Sequence, residues 1–228
     1  MNNMESFYTS IIQRGNTFLI RKIEDGKRVQ ERLDYKPTLF RSTKKKSKYK
    51  TLQGRSVEPI TFGSISEARD FINQYKDLPG FVYGFERYPY TWISDTYEGL
   101  VNWDKEKILI LTIDIEVASE NGFPEPKEAE EEVLAITVKN QNTKKILVWG
   151  IDEFKTDRDD VEYVRCLDER ELLEQFVEFF SQVKPDVITG WNINFFDIPY
   201  LCNRITKLFG PKKTNLLSPW NVVSEEKV

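Results

Sequence analysis

The chain has 228 residues, 39% of them hydrophobic and 13% aromatic, enough apolar material for one large domain or two ordinary ones. It contains no histidine, which excludes histidine triads, histidine metal ligands and histidine general bases, so any hydrolysis must run on carboxylates with bound metal, or on Tyr and Lys. The net charge of −4 is uneven: residues 1–102 hold 17 Lys and Arg against 12 Asp and Glu, and residues 103–228 hold 16 against 25, as a polyanion-facing module beside a carboxylate-rich metal site would.

Residues 5–35 read as a meander of strands. Phe7–Ile12 and Thr17–Arg21 are apolar runs parted by the turn signal Arg14-Gly-Asn16, and Asp25-Gly26 marks a tight hairpin into Arg28–Leu33. Tyr35–Phe40 is a short extended piece broken by Pro37. The most basic run follows, Lys44, Lys45, Lys46, Lys48 and Lys50, with Tyr49 among them. It fits either a solvated hairpin or loop, or a contact to single-stranded nucleic acid, lysines on phosphates and the ring under a base. Ser64 and Glu67 form a capping box for a helix to about Tyr75, with Ala68, Phe71, Ile72 and Tyr75 on one face. Pro79-Gly80 ends it. The aromatic-rich stretch Phe81–Tyr97 then reads as hydrophobic packing against the next domain rather than a base-stacking platform, and a domain boundary falls near residues 98–105.

Lys107–Glu116 opens as a buried β-strand and ends in two carboxylates, Asp114 and Glu116. Two apart on a strand, they share a face with stems about 6.6 Å apart. At an effective dielectric near 20 they repel by about 2.5 kcal/mol. They either face water or flank a divalent cation, magnesium or manganese being the hard ions suited to oxygen ligands. The loop Ser119–Pro126 puts Phe123 near them. Val133–Val138 and Lys145–Trp149 continue as strands, and Ile151–Glu162 reads as an acidic loop. Asp168 caps a helix with Glu171 in the capping-box position and a stripe from Leu172 to Val183. Asp186–Trp191 is a further buried strand. Asn192–Asp197 turns into a helix with Pro199 in its first turn, ending near Phe209. The order β-β-β-α-β-α predicts an α/β (mixed α+β) domain with a mixed sheet of ribonuclease-H type, in which the crossover brings the second strand beside the first and Asp197 toward Asp114 and Glu116. Trp191 and Phe196 are expected in the core, and Asn192 either lines the site or caps the turn.

Cys166 and Cys202 form no metal or redox spacing and read as core-filling thiols of a reducing cytoplasm. Met1–Glu5 lacks the form of a signal peptide, and no apolar run reaches the ~20 residues of a membrane span.

Ile113–Val117 with Gly122–Pro126, and Thr189–Tyr200, resemble the first and second exonuclease motifs of family B DNA polymerases. With Tyr35–Phe40 and Ser94–Tyr97, the set is most similar to the replicative polymerases of T-even-type bacteriophages, over nearly the whole chain. The resemblance implies an incomplete, β-rich N-terminal domain over residues 1–102 and a ribonuclease-H-like 3′→5′ exonuclease domain over residues 103–228, cut before its third motif. In that family two Mg2+ or Mn2+ ions drive hydrolysis of the primer-terminal phosphodiester. Asp114 would bridge both ions, Glu116 would hold the one that activates water, and Asp197 the other. Phe123 would meet the unpaired primer end, and Asn192 would line the site as a polar, nucleic-acid-binding group. Single-stranded DNA at a primer 3′ end, the remainder of the polymerase, a sliding clamp reached through it and RNA at the N-terminal domain are the implied partners, with no membrane, in the host cytoplasm.

The family's third motif, Tyr-x-x-x-Asp, is missing: no aspartate follows Asp197, and the only acids there are Glu225 and Glu226. The chain is therefore expected to be a piece of a longer polymerase or a split gene product, weak or inactive alone as a nuclease and without polymerase activity.

Overall fold

The computed structural model describes residues 6–119 and 122–224. Met1–Glu5 and the late acids Glu225 and Glu226 lie outside the described residues. By internal contacts the chain forms two units, Met1–Asp104 and Lys105–Val228.

The first unit holds two sheets. Strands β1 (Ser6–Arg14), β2 (Thr17–Glu24) and β3 (Lys27–Asp34) make an antiparallel meander. Its second hairpin turns on Asp25 and Gly26, with φ of 49° and 74°, the pair of left-handed residues that a two-residue loop needs to match strand twist. The second sheet contains β4 (Thr38–Ser42), β5 (Tyr49–Lys50), β6 (Ser56–Thr61) and β7 (Val82–Tyr83), in the order β5-β6-β4-β7. Helix α1 (Ile65–Gln74) begins as the sequence predicts: the Glu67 N–H donates to the Ser64 hydroxyl at 3.2 Å. The returning bond shifts by one residue, from the Gly63 N–H to the Glu67 carboxylate at 2.9 Å. Phe18, Ile20, Leu39, Ile65, Ala68 and Tyr88 make the core. Part of the aromatic-rich stretch is a helix, α2 (Tyr88–Thr96), which its rings conceal from a propensity reading. It starts with Pro89 in its first turn and buries Tyr88 in that same core, against Tyr35.

The second unit is one five-stranded mixed sheet: β8 (Ile110–Val117), β9 (Val133–Asn140), β10 (Ile146–Gly150), β11 (Val161–Arg165) and, after helix α3 (Glu169–Val183), β12 (Val187–Thr189), followed by helices α4 (Asp197–Phe209) and α5 (Pro211–Thr214). The order is β11-β10-β9-β8-β12. β8, β9 and β10 are antiparallel in series, and β12 returns parallel to β8 with Thr189 opposite Thr112. This is the mixed sheet read from the sequence, with two corrections. The segment Asp186–Trp191, read as a buried strand, pairs only over Val187–Thr189, and all three of these residues are exposed because β12 is the edge of the sheet. The stretch read as acidic loop through Glu162 yields to β11, parallel to β10, from Val161. Only Glu162 and Arg165 of its five residues are charged, but the run is short and follows directly on the acidic stretch, which hides its pattern.

Helix α3 packs on β9 and β10, and α4 on β8, closing a core of Ile113, Ile136, Leu172, Phe176, Tyr200 and Ile205 among others. Cys166 is buried and Cys202 half-buried, and burial pushes the Cys202 thiol up to about 11, as an inert core thiol would be. Among the described residues no helix is long and apolar enough to cross a membrane.

Candidate functional site

The carboxyl end of β8 presents Asp114 and Glu116 outward while Ile113 and Ile115 point into the core. The alternation follows from the pleat: buried residues two apart force the pair between them onto the opposite face. Asp114 stands opposite Thr137 and Glu116 opposite Ala135, so neither meets a cation across β9.

Asp197 arrives from the other side of β8. At the end of β12, Gly190 passes so close to β8 that a Cβ there would meet the Ile113 carbonyl oxygen at 2.5 Å and collide with the Ile193 side chain. The chain then reverses at Asn192, whose φ is 56° and whose carbonyl accepts from the N–H groups of Phe195 and Phe196 at 3.0 and 3.2 Å. Ile193 turns inward, and its carbonyl accepts from the Ile198 N–H at 3.0 Å, winding the start of α4. Asp197, 4% exposed, thereby accepts the Ile115 N–H at 3.2 Å, between the two β8 carboxylates in sequence.

Burial raises the Asp197 carboxyl above its usual range, backbone donors pull it partly back, and the charge of Asp114 pushes it up further. The folded chain thus holds this proton more tightly than the unfolded chain. Stability from this group is fully present below the ordinary carboxylate value and is lost as pH rises through the raised one. In chelator at pH 7, Asp197→Asn is expected to melt higher than the wild type, the difference shrinking toward acid. A lower melting temperature for the variant at pH 7 would show that the buried charge carries no such cost.

Phe123 is exposed but leans on Phe196, ring centroids 5.2 Å apart, and Phe196 in turn meets Tyr200 at a tilt, 5.5 Å between centroids. The loop bearing Phe123 is tied to α4: the Tyr200 hydroxyl donates to the Glu131 carbonyl at 2.7 Å and Asn203 to the Pro126 carbonyl at 3.0 Å. Asn192 is exposed, and its backbone rather than its side chain makes the turn. Trp191 corrects the expectation of a core ring: it is 92% exposed, because Ile193 takes the inward place once strand pairing ends at Thr189. Phe196, half-buried against the core, lies where expected. Lys44, Lys45, Lys46, Lys48 and Tyr49 belong to the first unit.

Sequence reasoning missed a buried ion pair behind this end of the sheet. Arg204 of α4 grips Glu169 of α3 with two bonds, 2.8 and 2.7 Å, and donates to the carbonyls of Ala129 and Glu130 at 3.1 and 2.7 Å. Glu169 also accepts the Val133 N–H at 2.8 Å. The available signal was an arginine on the otherwise apolar face of α4.

The donor chemistry at Asp114, Glu116 and Asp197 suits a hard divalent cation, with acidic oxygens and a carboxyl already strained by its neighbour's charge. Among the described residues, however, no three such side chains are gathered tightly enough to hold an ion by themselves.

A model of the DNA polymerase family B exonuclease domain matches residues 81–226. The DNA-directed DNA polymerase of Enterobacteria phage T4 is 32% identical over 95% of this chain, and that of Escherichia phage RB69 is 30% identical over 95%. The chain spans 27% of the length of each. The DNA polymerase delta catalytic subunit of Drosophila melanogaster is 35% identical over 51% of this chain and 11% of its own length. In fold, the chain is similar to the family B DNA polymerase of the hyperthermophilic archaeon Pyrobaculum calidifontis, with a TM-score of 0.56 and 19% identity over 90% of this chain and 32% of that one.

Proposed function

Since the chain belongs to the family B DNA polymerases, with their exonuclease domain matched over residues 81–226, we propose that it is the amino-terminal part of a replicative polymerase and carries part of a 3′→5′ proofreading exonuclease. The bond from the Ile115 N–H to the buried Asp197 carboxylate carries this reading, because it ties the second motif to the strand of the first.

Asp114, Glu116 and Asp197 would hold the divalent cations on which exonuclease domains of this family depend. Mg2+ or Mn2+ is the ion, two of them in the complete site. Such ions lower the pKa of a bound water and offset the charge on the phosphodiester. The chain's own residues prepare the place. Ile115 fixes one oxygen of Asp197, β8 fixes the spacing of the other two carboxylates, and Phe123 offers a ring face to the terminal base. Asn192 lines the approach. The substrate is a single-stranded DNA 3′ end. The partners are the rest of a polymerase and, through it, a sliding clamp.

Between Ile198 and Val228 there is no aspartate to complete the cluster. On single-stranded DNA with Mn2+, the chain is expected to release nucleotides far more slowly than an intact proofreading enzyme. Asp114→Ala should cut the remainder more than about a hundredfold, since even the outer partners of metal ligands are worth about 10–100-fold. Release that persists in Asp114→Ala would remove the site assignment, and wild-type rates matching an intact enzyme would show that the three carboxylates suffice.

A further inference from the structure

The Asn192 turn puts two neighbouring rings to opposite uses. Phe196 packs on the core and meets both Phe123 and Tyr200. Phe195, one residue earlier, is 78% exposed and forgoes most of the stabilisation that burying a phenylalanine supplies, so packing gives no reason for it. It is not a lone surface ring, since Phe123 and Trp191, on the same two segments that carry the carboxylates, are exposed as well. Its backbone is fixed: the Phe195 N–H donates to the Asn192 carbonyl at 3.0 Å, in a turn anchored by the buried Ile193, and Asp197 follows two residues later. Phe123 touches the adjacent Phe196, and consecutive Cα atoms are about 3.8 Å apart, so the rings of Phe123 and Phe195 lie within reach of neighbouring nucleotides of one strand.

Charge cannot hold a strand at this place. Residues 108–126 include Asp114, Glu116, Glu120 and Glu125 and no Lys or Arg, and residues 185–203 include Asp186 and Asp197 and no Lys or Arg. On the sheet face of Asp114 and Glu116, β9 contributes a single cation, Lys139, opposite Thr112. Divalent ions offset the carboxylates but leave the other phosphates of the strand unmatched. Stacking of bases on rings, which needs no phosphate contact, is the attraction these segments can supply.

We propose that Phe195 is a specificity-determining residue of the exonuclease site: its ring takes the base next to the terminal one, and the site holds its strand by stacking rather than by charge. The inference rests on the exonuclease reading above. A purine presents the larger face, so the preference set by this ring is for a purine in the penultimate position.

The test is anisotropy of a labelled single strand of about six nucleotides, its last linkage a phosphorothioate so that it stays intact, with the whole 228-residue chain in saturating Mn2+ and again in chelator. The gain in affinity on adding Mn2+ reports the carboxylate site. Phe195→Ala should cut that gain about tenfold, and Phe195→Tyr should restore it. The wild type should favour penultimate dA over dT, and Phe195→Ala should not distinguish them. The gain should also fall with salt no more steeply than one neutralised phosphate gives, a slope of about −0.7. Thermal melts of each variant separate lost binding from lost folding. A gain unchanged in Phe195→Ala overturns the proposal, and its loss in Phe123→Ala at the same time would leave the exonuclease reading standing. A slope several times steeper would overturn the claim that stacking holds the strand. Wild-type binding with no Mn2+-dependent gain removes the exonuclease reading, and this inference with it.

Discussion

Arg204→Ala is expected to destabilise the second unit by about 3–5 kcal/mol, the usual cost of leaving one member of a buried ion pair without the other. The side chains are 11% and 7% exposed, so water cannot replace the lost partner. Three segments would loosen together, because this one guanidinium joins the start of α3, the middle of α4 and the carbonyls of Ala129 and Glu130. Set against a typical domain stability of about 5–15 kcal/mol, the loss is large and should lower the melting temperature by on the order of 15 °C. Arg204→Lys should fall between the two, since an ammonium keeps the charge but not the fork that grips both Glu169 oxygens. A melt of Arg204→Ala within about 2 °C of wild type would mean that the pair is idle. Destabilisation should also reach the site, since the loop held by Arg204 leads back to Phe123.

Gly190→Ala is the sharper test of the site itself. The added carbon has no free space: one obstacle is the flexible Ile193 side chain, but the other is the Ile113 carbonyl of β8, which cannot yield without breaking the sheet. Overpacking of this kind costs about 1–3 kcal/mol. Its specific consequence is displacement of the Asn192 turn, hence of Asp197 from the Ile115 N–H. Added Mn2+ should raise the melting temperature of the wild type and not that of Gly190→Ala. An equal rise in both would show that Asp197 is not positioned through this glycine. The contrast with Arg204→Ala separates loss of fold from loss of site geometry.

The strands that bury both faces or alternate cleanly were legible in the chain: β2, β8, β9 and β10 each carry an apolar pattern strong enough to read unaided. So were both capping boxes, Ser64 with Glu67 and Asp168 with Glu171, because a cap is a local bond among neighbours. β11 and α2 were not, for opposite reasons. One is a charged edge strand whose partner β10 supplies its order, and the other is a helix built from residues of indifferent helix propensity. At the site, Asp114, Glu116 and Asp197 could be named from residue type and motif, but the inward turn of Ile193 in place of Trp191 could not.

Sequence alone therefore determined which carboxylates are candidates, where the strongly patterned strands run and that histidine chemistry is absent, since residue type, short-range periodicity and capping are written within a few positions of one another. Only the tertiary structure decided that β12 lies on β8, that Asp197 reaches the Ile115 N–H, that Arg204 meets Glu169, and that Phe40, Tyr49 and Tyr83 share one open face. The pairings of β12 with β8, Asp197 with Ile115, Arg204 with Glu169 and Phe40 with Tyr83 join residues 35 to 82 positions apart. Contacts at such separations depend on which surfaces pack against which, and no window along the chain contains both partners.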